Sequence, residues 1–385
     1  MNKKEVLEIR KQFVAENSTI TRICGCYVDG EKEIKLESKE AFHSLPEEET
    51  FKYYEIFKRT LSGTVGKNLL NMEFPLEQEM PGGTQEFLLK LRDTKLQDDV
   101  LVEEFYQKII ANYDYTGNYY IILIHAAYDV PGKSKAGDEM FDASDEVYEY
   151  VLCSLCPVKL SKAGLGYNSD RNRIEERIRD WVVEAPANGF IFPVFNDRST
   201  DIHGVLYYSK NTEELQQEFV SNVLGSVVPM SAGSQKETFN HIISDTLGEE
   251  CDYEIIRNIH ENLNEMIEQS KDEPEPLILT KNSVKGILEK SGVPEEKMEH
   301  FDHGFTESAG EKAEFLAANV AETRKFNIET PDIIIKVNPA RTDLVETRVI
   351  DGKECIVITV NDHIEVNGVN VKTMNLQRDM TQDNV

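Results

Sequence analysis

Two close cysteine pairs, Cys24 with Cys26 and Cys153 with Cys156, come nearest to a spacing that does chemistry, because four thiolates can hold a zinc ion. Cys24 and Cys26 share one face of an extended strand. Cys153 and Cys156 share a face only if the chain turns between them, and Pro157 offers a place for that turn. The plainer reading is buried free cysteine packed as a small hydrophobe. A thioredoxin-type pair would need Cys153 to open a helix after a strand. The second constellation is Asn196-Asp-Arg-Ser-Thr-Asp-Ile-His203, a polar cluster between apolar runs. Its Asp197, Asp201 and His203 could hold a metal or exchange protons, since strand-end loops often carry function. The same residue types also close hairpins by bonding their own backbone.

Other motifs fall short. Ser62-Gly-Thr-Val-Gly-Lys67 separates its glycines by two residues where a phosphate loop needs four, and Asn68 stands where a magnesium-binding hydroxyl belongs. Pro81-Gly-Gly-Thr84 reads as a loop into a helix with Thr84 as its cap. His125 sits in an apolar run and reads as a core histidine. No nucleophile elbow, zinc-protease or dinucleotide motif occurs, and no cofactor is implied. Arg171, Arg173, Arg177 and Arg179 form a modest basic cluster, diluted by Glu175 and Glu176, that reads as a solvated, salt-bridged face.

Charge narrows the functions further. The chain has 385 residues with 70 Asp and Glu against 42 Lys and Arg, net −28. Such a chain does not coat bare nucleic acid through a broad basic face, because that affinity comes from cations neutralising phosphates. Residues 245–275 hold eleven carboxylates against Arg257 and Lys271, a density that marks a solvated helical surface. Six cysteines are sparse for the length, and the charged N-terminal stretch lacks the apolar core of an export signal. The longest apolar run, residues 119–128, is half of what a bilayer span needs. The expectation is a cytoplasmic protein with no membrane segment.

The elements that must position these residues are an N-terminal amphipathic helix and a hairpin around Asp29-Gly30, where glycine would supply the positive φ. A helix from about Pro46 follows, capped by Ser44, with Phe51, Tyr54, Phe57 and Leu61 on one face and Gly63 at its end. Another helix spans residues 98–113. Strands are expected at 119–125, 147–153, 190–195 and 205–208, with residues 173–183 open between helix and strand. Helices are expected at 213–224, 235–247, 253–269, 281–290, 295–303 and 310–323. Strands return at 333–337, 344–350 and 355–360, with a second hairpin turn at Asp351-Gly352. The fold class is α+β with a largely antiparallel sheet. Residues 1–210 form the mixed domain, 211–325 the helical region, 326–371 the C-terminal strands and 372–385 a loose tail.

The stretches Thr21-Arg-Ile-Cys-Gly-Cys-Tyr-Val-Asp-Gly30, Met140-Phe-Asp-Ala-Ser-Asp-Glu-Val-Tyr-Glu-Tyr150, Phe195-Asn-Asp-Arg-Ser-Thr-Asp-Ile-His203 and Val337-Asn-Pro-Ala-Arg-Thr-Asp-Leu-Val-Glu-Thr-Arg348 resemble an uncharacterised bacterial family, domain of unknown function four-three-one-seven. That resemblance covers nearly the whole chain and implies no activity. In element order the chain also resembles the 37-kilodalton nucleoid-associated proteins, with Leu206-Tyr-Tyr-Ser-Lys210 leading to a helix ending Val223-Leu-Gly225. This likeness carries over no site residue. It implies a cytoplasmic, non-enzymatic binding or scaffold protein linked to the nucleoid through a protein partner or a local basic patch, with direct DNA contact and homo-oligomerisation both open. The competing classes are a metal-dependent enzyme around Asp197, Asp201 and His203, and an acidic nucleic-acid mimic.

Overall fold

The apolar run at residues 119–128 is the centre of a sheet. In the computed structural model it lies in the long strand β4, and the fold is α+β. Residues 1–133, 139–248, 251–361 and 363–371 are described, and the loose tail expected at 372–385 lies outside them. The chain divides into two compact units, Met1–Phe239 with Ser270–Ile278, and Asn240–Gln269 with Leu279–Val385.

The first unit opens with α1 (Lys3–Arg10), β1 (Ile20–Val28), β2 (Ile34–Ala41), α2 (Glu47–Thr60), β3 (Leu69–Glu73), α3 (Leu76–Glu79), α4 (Thr84–Asp93) and α5 (Asp99–Asn112). It continues with β4 (Asn118–Lys133), β5 (Glu139–Leu160), β6 (Leu165–Asn168), β7 (Arg173–Glu176), β8 (Trp181–Val183), β9 (Asn188–Phe192), β10 (Val194–Asn196), β11 (Ser199–Asp201) and β12 (Gly204–Ser209). The main sheet has the order β2-β1-β4-β5-β9-β12-β3, and β8 adds to the end of β5. Its neighbours pair antiparallel.

Side chains alternate between two cores, one on each face, because successive residues of a strand point to opposite sides. On one face Cys24, Ile121, Leu123, Cys153 and Phe190 pack with Leu88 and Leu91 of α4 and Phe105 and Ile109 of α5. On the other, Ile23, Ile122, Ile124, Leu152 and Ile191 pack with Val6 and Ile9 of α1 and Tyr54 and Phe57 of α2. Strands buried on both faces read as continuous apolar runs, which is why β4 is conspicuous in the sequence.

Helix α6 (Ala232–Leu247) follows. The second unit holds α7 (Tyr253–Gln269), α8 (Lys281–Lys290), α9 (Met298–Ala309), α10 (Ala317–Val320) and the short strand β14 (Phe315–Leu316), and the short strand β13 (Ile278–Leu279) falls at the division between the units. On α7, Ile259 and Leu263 are buried while Glu254, Glu261, Glu265 and Glu268 face solvent. The chain then forms three separate two-stranded ribbons: β15 (Phe326–Glu329) with β16 (Ile334–Val337), β17 (Val345–Ile350) with β18 (Lys353–Ile358), and β19 (Ile364–Val366) with β20 (Val369–Val371).

Several local expectations are corrected. The β1–β2 loop turns on Lys32, at φ 64°, and not on Gly30. Asp29 replaces the glycine device by accepting from the N–H groups of Glu31 and Glu33. Ser44 does not cap α2, because its hydroxyl donates to the Ala41 carbonyl and Pro46 takes the cap position. Phe51 lies 47% exposed, off the buried face of Tyr54, Phe57 and Leu61. Thr84 is the first residue of α4, and Gly83 precedes it because a Cβ there would meet the Gln78 carbonyl at 2.3 Å. Residues 173–183 begin and end in strand, as β7 and β8, and hold no helix. The helix expected at 213–224 shrinks to a π-turn over Phe219–Val223, since Leu215, Phe219, Val220, Val223 and Leu224 are all buried. That expected at 310–323 reduces to α10, because left-handed Gly310 ends α9 and Phe315 enters a strand. Asp351 and Gly352 both take positive φ, as the primed turn requires, and Asn367 and Gly368 repeat the device unforeseen.

Candidate functional site

The polar cluster at 196–203 is a hairpin corner. Asp197 at φ 49° and Arg198 at φ 59° form the turn between β10 and β11, a conformation Asp tolerates better than most residues. Nearly every polar group there has an internal partner. The amide of Asn196 donates to Asp201 Oδ2 at 2.7 Å, and Asp201 Oδ1 accepts from the His203 backbone at 2.9 Å. His203 turns its ring away, with Nδ1 at 2.8 Å from Glu79, and that carboxylate raises the imidazole's pKa. Arg198 grips Glu8 at 2.8 and 2.9 Å and the Pro131 carbonyl at 2.9 Å. The Met1 amino group donates to Asn71 at 2.7 Å and Asn196 at 2.5 Å. Asp201 and His203 are therefore neighbours in the chain's own hydrogen bonding and point to different partners. The arrangement ties α1, α3 and the hairpin together.

The cysteines lie inside. Cys24, Cys26 and Cys153 belong to one core and Cys156 to the other, since β5 runs through Cys153 and Cys156 without a turn. Cys24 and Cys153 both register with Leu123, which leaves them two strand spacings, about 10 Å, apart. Burial pushes the Cys26 thiol up to about 12 and raises Cys24, Cys153 and Cys156 as well. These sulfurs are protonated thiols, poor ligands and poor nucleophiles. Among the described residues no group of three His, Cys, Asp or Glu is placed to hold a metal.

A recess of 490 Å³ at the end of β9 and β12 has no counterpart among the sequence motifs. Its floor is Asn188, 5% exposed, whose Oδ1 accepts from Tyr113 at 3.0 Å and whose Nδ2 donates to Tyr207 at 2.7 Å. One wall is closed by the Gln216 side-chain amide, which accepts from the Asp114 N–H at 3.1 Å and donates to the Asp114 carbonyl at 3.0 Å. Glu214, Glu218 and Lys32 also line it. The buried polar atoms of the floor partner one another, so this network first of all shapes the sheet end.

The fourth feature is an arm. From Val158 to Val183 the chain leaves the sheet as a ribbon and returns, with Val158 paired to Val183 and Asn168 to Arg173. Every residue from 161 to 185 is exposed or half-exposed. Opposite residues on an antiparallel pair share a face. Leu165, Tyr167 and Ile174, 78, 64 and 63% exposed, therefore share one side with Glu176, which pairs with Leu165. The other side is polar: Glu175 holds Arg171, Arg173 and the Asn168 amide. Toward the base stand Arg177, Arg179 and Trp181, the last 56% exposed and the chain's single tryptophan. Residues 159–183 carry six Lys or Arg against four Asp or Glu, a local excess of two positive charges in a chain of net −28.

The sequence pattern of a family described as a domain of unknown function, DUF4317, matches residues 1–369. The chain belongs to that family. Among curated proteins none matches it. The DUF4317 match takes in both units and the arm, so these are parts of one family design. Of the stretches that carry the resemblance, the first is the inner strand β1, the third is the polar corner, and the fourth joins β16 to β17. For residues 140–145 of the second, only the backbone pairing is described.

The arm is half visible in sequence. Its four arginines are plain, but an apolar residue every second position is also the mark of a strand packed on a core. Exposure, which decides between the two, comes only with the fold.

Proposed function

We propose that this DUF4317 chain is a non-enzymatic binding or scaffold protein that meets nucleic acid locally, through the arm at residues 159–183. The observation that carries the reading is the placing of Trp181, Tyr167, Arg177 and Arg179 on a ribbon whose residues from 161 to 185 pack into no core. Aromatic faces that stack on bases, beside cations that track phosphates, are the means by which single strands are bound without sequence preference. The acidic remainder of the chain repels a polyanion, so contact is confined to the ribbon and the affinity is modest and salt-dependent. The nucleoid association suggested by element order fits a protein that touches nucleic acid at one point.

Trp181 is its own reporter. Titration of the full chain with a single-stranded oligonucleotide at low salt should quench its emission, with an affinity that falls as salt rises. Arg177→Ala with Arg179→Ala should flatten the slope of log affinity against log salt by about 0.7 for each phosphate left without a cation. Unchanged emission at low salt, with no oligonucleotide retained, rejects the reading.

One observation favours a second reading, a protein partner: Leu165, Tyr167 and Ile174 cluster as exposed apolar side chains on one side of the arm, with Glu176 at its edge, and exposed apolar clusters can mark protein contact. Under it, Leu165→Ser with Ile174→Ser abolishes a stoichiometric complex with an identified partner while oligonucleotides leave Trp181 unaffected.

A further inference from the structure

The strand β17 has one edge satisfied by β18 and one edge that no strand of the described residues pairs with, and the same holds for β18. The pairing of Val345 with Ile358 through Ile350 with Lys353 closes on the two-residue turn at Asp351-Gly352. The Thr359 N–H donates to the Leu344 carbonyl at 2.7 Å, which fixes the even-numbered residues of this strand as those whose backbone groups face β18. Backbone groups of an antiparallel strand alternate in direction. Those of Val345, Thr347 and Val349 therefore face outward, where, among the described residues, no strand pairs with them. An open edge of this kind is a template for another strand. Of the aliphatic side chains beside it, Val349 at 73%, Ile358 at 49% and Ile356 at 37% are exposed, while Val345 at the start of the strand is buried, 2% exposed.

We propose that this edge is the dimer contact of the protein: β17 pairs antiparallel with β17 of a second copy, about a twofold axis at Thr347. The outward residues fix which registers can form hydrogen bonds, and charge chooses among them. With Thr347 opposite itself, Val345 faces Val349 of the partner. Glu346 then faces the partner's Arg348 and the reverse holds across the axis. Opposed positions of this second kind bring side chains closest. Glu346 and Arg348 already reach each other within one chain, at 2.7 Å. Sliding the strands one way sets Glu346 against Glu346, and sliding them the other way sets Arg348 against Arg348, each a like-charge pair on the axis. One register of the three is charge-complementary, and it is self-complementary as a twofold contact must be. The joined sheet also sets Val349 against the partner's Val345 and continues the apolar face of Ile356 and Ile358. Neither the arm nor nucleic acid takes any part in this pairing.

The test uses the full chain. Light scattering after size exclusion should give a dimer mass. Arg348→Glu should shift it to the monomer, because Glu would then face Glu twice. Glu346→Arg combined with Arg348→Glu should restore the dimer, since the charges are exchanged and complementarity returns. In a Cys251→Ser, Cys355→Ser background, Thr347→Cys should cross-link under mild oxidation, its Cα atoms standing about 5.5 Å apart across the axis, and Val349→Cys should not. A monomeric wild type at high concentration overturns the proposal. So does a dimer that survives Arg348→Glu, or cross-linking by Val349→Cys in place of Thr347→Cys.

Discussion

The main sheet of the first unit and the C-terminal ribbons are built from the same kind of sequence, alternating aliphatic strands with tight turns, yet they end in opposite environments. In β4, Tyr119, Ile121, Ile122, Leu123 and Ile124 are at most 1% exposed, covered by helices on both faces. In the ribbons, Ile334, Val349, Val369 and Val366 are 53 to 73% exposed. The arm of β6 and β7 resembles the ribbons and not the sheet from which it springs. Strand propensity describes a pleated surface that fits something, and the rest of the chain decides whether that something is internal. Where, among the described residues, no second layer covers a strand pair, its apolar side chains stay exposed.

That contrast can be broken by mutation. Phe57, fully buried and ringed by Phe13, Phe42 and Tyr53, should cost about 3–5 kcal/mol of unfolding free energy on change to Ala, measured by urea denaturation. A loss below about 1 kcal/mol would mean that this core is not the stabilising region. Next is His125, whose ring is fully buried between β1 and β5 with Nδ1 bonded to Thr21. Burial lowers its pKa to about 4, while Glu149 at 3.9 Å raises it and Lys95 lowers it further. The folded state thus resists protonation that the unfolded chain accepts below about 6.5. Its contribution is intact above that pH and is lost as pH falls from about 6.5 to 4, by roughly 3 kcal/mol. His125→Gln should flatten the stability profile across that window, and an unaltered slope would exclude the assignment.

Asn188→Ala should cost about 1–3 kcal/mol, because Tyr113 and Tyr207 would lose a buried partner. The smallest effect belongs to the ribbons. Val349→Ser should change monomer stability by no more than about 0.5 kcal/mol, as for surface sites in general, while disturbing assembly. A large loss of monomer stability there would show that the ribbon packs internally after all.

Much of the sheet can be read from sequence because both of its faces are buried. The run around Ile121–Leu123 has few other interpretations, and Asp351-Gly352 specifies a turn by itself. Local signals fail where tertiary contacts overrule them. Thr84 has a capping side chain, but Gln78 takes its hydroxyl. Residues 213–224 have a helical period, but all their apolar side chains enter one core and the turn widens. The polar corner at 196–203 is conspicuous for its titratable residues, and the fold ties most of them to α1, α3 and the backbone. For the cysteines, two-residue alternation separates Cys153 from Cys156 correctly, but no local pattern tells which core each strand face will meet. The recess at Asn188 joins residues from 32 to 218, a separation beyond the reach of any local pattern.

Amide hydrogen exchange of the full chain, with and without a single-stranded oligonucleotide at low salt, tests local binding through the arm most directly, because it reads the arm, the polar corner, the recess and the sheet at once. The expected result is new protection at residues 159–183 and unchanged exchange in β4, β9 and the corner at 194–203. Protection appearing at residues 194–203 or around Asn188, with the arm unaffected, would contradict it.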